Sequence, residues 1–182
     1  MVSLLALAGT GTLGFLAYRG FGAPATGPGA ATGPGAATDP GTAAGSGAAD
    51  RPVTYAKEAL DVRIGCAAVV YLDLDEPRAG VGAQIGDLRY DSRCGNGPAR
   101  LSLGAGATAG SSVARTDLDD DGCLRAIRNG PLEPGAAVNV RVGTALCVLT
   151  AAQPAKLVLV EIAGVGVTGN LSLRATSWLA PA

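Results

Sequence analysis

The sequence predicts an all-β domain, a small antiparallel sandwich or barrel with one short helix, set behind an N-terminal membrane helix and a disordered linker. Three observations predict it. Short runs of alternating apolar and polar residues recur after Pro52, glycine, asparagine and proline clusters separate them, and a charge-free apolar stretch opens the chain. The breakers, 28 Gly and 11 Pro in 182 residues, crowd the early part, so the fold belongs to the later part. Roughly 130 residues remain from 52 to 182, enough for one ordinary hydrophobic core and not for two.

The opening stretch runs from Val2 to Tyr18 without a charge. As a helix its seventeen residues cover about 26 Å, near the short limit for a hydrocarbon core of about 30 Å. We read residues 1–23 as a single-pass anchor in the cell membrane with the C-terminal domain outside the cytoplasm. The alternative is a secretory signal ending at Ala23-Pro24-Ala25, which gives a secreted protein. Arg19 follows the run and no basic side chain precedes it, which opposes the expected topology under the positive-inside bias. That mismatch is the reason for expecting Met1 to be an internal start within a longer polypeptide. Gly9 to Gly14 spells GTGTLG, matching the dinucleotide pattern GxGxxG, but the proline-rich tract that follows denies it the packed helix that pattern needs. Glycine and threonine at close helix contacts account for it equally.

Residues 24–51 form the linker. TGPGAA occurs at Thr26 to Ala31 and again at Thr32 to Ala37, followed by the degraded copy TDPGTAA at Thr38 to Ala44. No large apolar side chain is there to offset the entropy of ordering, and the regular prolines bias the backbone toward polyproline II. At about 3.1 Å per residue the tract reaches at most about 87 Å, a span suited to lifting a domain off a membrane.

Within 52–182, Cys66 to Leu74 starts apolar and ends in alternation. Leu88 to Tyr90, Arg100 to Leu103, Val138 to Val142 and Leu171 to Ala175 alternate throughout, each with one wet face. Leu157 to Ile162 (LVLVEI) is nearly continuous apolar, the mark of a central strand covered on both sides. Gly95 to Pro98, Asn129 to Pro131 and Glu133 to Gly135 supply turns, and Gly169-Asn170 a tight hairpin. The helix is expected after Asp119, Asp120 and Asp121, with Leu124 and Ile127 inward, Arg125 and Arg128 toward its end, and Gly130 and Pro131 stopping it.

Composition excludes more than it assigns. Net charge is −1 and only two lysines, Lys57 and Lys156, are present, so no basic face exists to draw phosphates and nucleic acid is not an expected partner. There is no histidine, which removes Ser-His and Cys-His nucleophile pairs and histidine zinc sites together. Four cysteines, Cys66, Cys94, Cys123 and Cys147, lie far apart in a domain expected outside the cell, so two disulfides are expected. Three connectivities are open. We favour Cys66 with Cys94 and Cys123 with Cys147, each loop contributing about 3.5 kcal/mol by chain entropy. A four-cysteine zinc site would lack any CxxC pair, and free thiols would require a cytosolic domain.

Asp117 to Arg128 (DLDDDGCLRAIR) matches a calcium loop at Asp117, Asp119, Asp121 and Gly122, but Arg128 stands where a bidentate glutamate should close the site. Helix capping explains the same aspartates, and no metal or cofactor is expected. Asp73 and Asp75, two apart on a strand, project from one face. That is a pair suited to acid–base work on a glycoside, or a solvated strand end. Asn170-Leu171-Ser172 is a formal glycosylation sequon in a turn.

YLDLD (Tyr71 to Asp75), DLRY (Asp87 to Tyr90), CLRAIRNGPL (Cys123 to Leu132), LCVLT (Leu146 to Thr150) and ATSW (Ala175 to Trp178) resemble the exported C-terminal β domain of actinobacterial receptor-type serine/threonine protein kinases and related anchored proteins. The resemblance covers about the last 120 residues and the anchor-and-spacer layout. It implies a disulfide-bearing module with a sensing or binding role and carries over no ligand residues. The kinase half is absent: without histidine there is no HRD loop, and neither lysine sits in a VAIK-like strand. The expected function is therefore a non-catalytic sensor or binding module for an extracytoplasmic ligand or envelope component. The rivals are an envelope hydrolase using acidic residues and a structural envelope protein. A carboxylate pair in one deep pocket would favour the hydrolase, and an open strand face bearing Tyr71, Tyr90 or Trp178 would favour binding.

Overall fold

Two five-stranded antiparallel sheets face one another across a shared core in the computed structural model, which describes residues 51–93 and 95–181. The expected membrane segment Val2 to Tyr18, the linker up to residue 50, and Cys94 lie outside the described residues. No helix among the described residues is long and apolar enough to cross a membrane.

One sheet contains β1 (Val53–Val62), β6 (Ala107–Val113), β8 (Ala145–Thr150), β9 (Lys156–Val165) and β10 (Leu171–Leu179), in the order β1-β10-β9-β8-β6. The other contains β2 (Val69–Asp73), β3 (Arg78–Ala79), β4 (Leu88–Asp91), β5 (Arg100–Leu103) and β7 (Ala137–Asn139), in the order β3-β2-β4-β5-β7. Each sheet keeps its own two edges, so of the two expected architectures the sandwich is the one adopted. Leu72, Leu88, Tyr90 and Leu101 from one sheet meet Val62, Val148, Val160, Ile162 and Leu173 from the other in a single apolar cluster. Each of these side chains removed from water contributes about 1.5–3 kcal/mol.

The apolar run LVLVEI behaves as its pattern implies. β9 lies in the middle of its sheet, and alternate residues go to opposite faces. Val158, Val160 and Ile162 point into the inter-sheet core, while Leu157 and Leu159 join Trp178, Leu124, Cys123 and Cys147 in a second cluster beneath the helix. That helix, α1 (Asp120–Asn129), starts at Asp119, whose carboxylate accepts the Gly122 N–H at 2.7 Å, and ends at Gly130. Arg51 donates to Asp120 and to Asp121 (2.9 Å), tying the first described residue to the helix start. Asp119→Ala should cost about 1 kcal/mol, read as a lower denaturant midpoint with unchanged slope; an unchanged midpoint would show the cap to be idle.

Some expectations are corrected. Val138 to Val142 is a strand only as far as Asn139: one more bond, Val140 N–H to Ala99 O, continues the register before a turn closed by Thr144 N–H on Arg141 O, with Gly143 at φ 81°, ends it. The β9–β10 connection is a longer loop than a two-residue hairpin: Gly166 N–H bonds Asn170 O at 2.8 Å, and Gly169, at φ 92°, supplies the left-handed residue. Tyr90 and Trp178 are core side chains rather than an open aromatic face. Tyr90 is fully enclosed and donates to Gly169 O at 2.9 Å, and Trp178 packs under α1.

Candidate acidic site

The residues of interest begin where β2 ends. In LDLDEPR the leucines 72 and 74 alternate inward, both fully buried, which turns Asp73 and Asp75 the other way. Asp73 is not a solvated strand end. It is buried, its Oδ1 accepts the N–H groups of Asp75 (3.0 Å) and Glu76 (3.2 Å), and its Oδ2 accepts from Arg78 Nε (3.2 Å) and its terminal nitrogen (3.0 Å). Its carboxylate thereby closes the turn into β3, an arrangement suited to aspartate because the short side chain reaches its own backbone two and three residues on.

Asp75 is held from the opposite sheet. Thr150 Oγ1 at the end of β8 donates to Asp75 Oδ1 at 2.9 Å and accepts the Lys156 N–H at 3.0 Å. Lys156 Nζ donates to the Asp75 carbonyl at 2.6 Å and lies 5.8 Å from the centroid of the Tyr55 ring. The Tyr55 hydroxyl donates to Leu74 O at 2.6 Å. Burial raises the Asp75 carboxyl above its ordinary range, with the Thr150 bond working against the rise.

The third member, Asp87, was not singled out from sequence as a site residue. It precedes β4, with its N–H on Leu72 O (2.7 Å), its carbonyl accepting from Gly104 (2.8 Å), and its Oδ2 accepting the Leu74 N–H (2.6 Å). Asp87 is 0% exposed, and its Oδ1 has no protein partner. Burial, reinforced by the charges of Asp75 and Asp73 and opposed by the Leu74 bond, pushes its carboxyl up to about 7. The only sequence signal was an acid next to an apolar strand, DLRY, and nothing in one sequence marks such an acid as enclosed.

Glycines make this enclosure. A Cβ on Gly104 would lie 2.1 Å from Gly86 O, and one on Gly106 would lie 2.4 Å from Ile85 O and 2.8 Å from Asp87 Oδ1. The 104–106 backbone is therefore pressed against the 85–87 backbone, with Gly106 N–H bonding Gly86 O at 2.9 Å. One oxygen each from Asp73, Asp75 and Asp87 falls within 4.8 Å of the others. Above them opens a cleft of about 340 Å³ lined in part by Asp73, Asp75, Glu76, Arg78, Gln84 and Gly106. A larger cleft of about 500 Å³, between Leu103, Ala107, Pro131, Leu132 and Pro134, has Glu133 as its sole ionisable lining residue.

The other acidic run does not converge. Asp117 pairs with the exposed Arg115 at 3.0 Å, Asp119 caps α1, and Asp121 faces Arg51, so the calcium-loop pattern is taken up by three different partners. Among the cysteines, Cys123 on α1 and Cys147 on β8 are bonded to each other as expected, with Cα atoms 5.3 Å apart. Cys66 is also disulfide-bonded, and Cys94, its expected partner, lies outside the described residues. The chain matches no family model, no curated protein and no solved structure in the comparisons made.

Proposed function

We propose that this chain is a non-catalytic sensor or binding module outside the cytoplasm, held at the membrane by Val2 to Tyr18 and lifted from it by the 24–51 linker. The observation that carries this reading is the Cys123–Cys147 bond: both residues are 0% exposed, and the bond staples the helix to the sheet. A disulfide built into a core is at home in oxidising surroundings. The binding surface is the acidic cleft at the end of β2, since Tyr90 and Trp178 belong to the core and Tyr71 alone of the three stays partly exposed.

The hydrolase reading draws support from the same cleft, because its carboxylates do converge. Their placement favours binding instead. Asp87 is fully enclosed and not placed to reach a glycosidic oxygen, and Asp73 is committed to Arg78 and two backbone N–H groups. Paired glycosidase carboxyls flank the scissile bond from both sides.

Protease shaving of intact cells expressing a C-terminally tagged chain tests export. Cutting in the linker should free a tagged fragment of roughly 130 residues before lysis, with no thiol open to alkylation in the native protein. Full-length protein protected until lysis, with four alkylatable thiols, would refute the reading.

A further inference from the structure

The geometry points to a divalent-cation site, calcium by preference, between Asp73, Asp75 and Asp87 at the floor of the cleft. Three acids near one another do not make a site. The independent observation is Asp87 Oδ1, fully enclosed and without a protein partner. A buried carboxylate oxygen left bare is costly, and native folds seldom retain one without a use. This oxygen faces the position that a Cβ on residue 106 would fill, 2.8 Å away, and Ile85 O faces the same position from 2.4 Å. Glycine at 106 thus lets the backbone close against this oxygen while bringing it no donor. Thr150 fixes Asp75 through one oxygen, and Arg78 is shared between Asp73 and Glu76, so three aspartates and a glutamate stand against two cations, Arg78 and Lys156. Lys156, the other nearby cation, directs its ammonium to the Asp75 carbonyl.

The donor chemistry selects the ion. Every candidate ligand is oxygen, with no thiolate or imidazole in the group, which suits a hard cation. Carboxylates carried on turn and strand-end backbone suit calcium, which accepts irregular coordination, better than magnesium, which demands near-octahedral geometry. The affinity expected is that of extracellular modules, a Kd of about 10⁻⁴–10⁻³ M. That range, and only that, rests on the proposed export. Binding by the purified chain and shaving of cells are separate measurements, so either can fail alone.

The test uses the full 182-residue chain, purified in detergent, stripped with EDTA and dialysed, then titrated with CaCl₂ or MgCl₂ while thermal unfolding is followed. Calcium at ten times its Kd should raise Tm by about 4 °C, and magnesium at the same concentration by less than half of that. Asp75→Asn keeps an oxygen for Thr150 and so should fold, but should weaken the calcium response at least tenfold in concentration. Asp87→Asn should do the same. Asp117→Asn, in the other acidic run, should leave the response intact. No calcium shift in the parent chain, a shift retained in Asp75→Asn, a shift lost in Asp117→Asn, or an equal shift with magnesium would each overturn the assignment.

Discussion

Asp87→Asn is expected to make the chelated protein more stable at pH 8, by on the order of 4 kcal/mol, while leaving it almost unchanged at pH 4. The sign follows from the direction of the shift. An ordinary aspartate titrates near 3.8, whereas burial pushes Asp87 up to about 7 in the fold. Below pH 4 the group is protonated in both states and contributes no pH dependence. Between about 4 and 7 the unfolded chain releases its proton and the folded chain keeps it, so stability falls as pH rises, and it levels off above 7. The charged groups around Asp87 reinforce this. Asp75 and Asp73 face it from the end of β2, while Arg78 and Lys156 are engaged by Asp73 and by the Asp75 carbonyl. Asp75 is raised by burial as well and shares part of the slope. An asparagine keeps the oxygen that accepts Leu74 N–H and carries no charge to desolvate. Urea unfolding of parent and variant in EDTA between pH 4 and 8 decides the matter: the two stability curves should diverge with rising pH. Curves that run parallel would mean Asp87 is not the group responsible.

How far the sequence foretold this molecule depends on whether a residue's role was written locally. α1 was legible to its caps, because Asp119, the acidic first turn and Gly130 act through neighbouring backbone. β9 was legible because burial on both faces leaves an uninterrupted apolar run. β1 was not. Its VTYAKEALDV holds good helix formers, most of it is exposed at a sheet edge, and two register shifts with Lys57 at φ 50° break the alternation. Pairing with β10 decides its conformation against local propensity. β6 escaped notice for a related reason: ATAGSSV has little apolar content, and Leu103 packs over Gly110, where a Cβ would sit 2.7 Å from its Cδ2. The acidic site shows the same division. Asp73 and Asp75 were visible as a same-face pair, but Asp87 joins them through hydrogen bonds to the Leu72 and Leu74 backbone, under a close approach of residues 104–106, that no spacing rule encodes.

Replacing both Cys123 and Cys147 with alanine should destabilise the domain by about 3–5 kcal/mol, the largest loss expected of any change outside the inter-sheet core. The bond closes a 24-residue separation, for which chain entropy alone gives about 3.5 kcal/mol. Packing adds to that, because both residues are fully enclosed among Leu124, Leu157, Leu159 and Trp178, where the lost sulfurs leave space. The loss should also be local in character. α1 has ten residues, too few to persist without tertiary support, and it lies on the outer face of its sheet. Without the staple its amides should exchange with solvent ahead of those in β8 and β9, which keep their ladder and their inner face. Denaturant midpoints measure the first effect and residue-resolved hydrogen exchange the second. A double variant that unfolds within a few tenths molar of the parent, with α1 still protected as well as β9, would show that the helix is held by its apolar face and cap alone, and would remove the disulfide as evidence for an oxidising compartment.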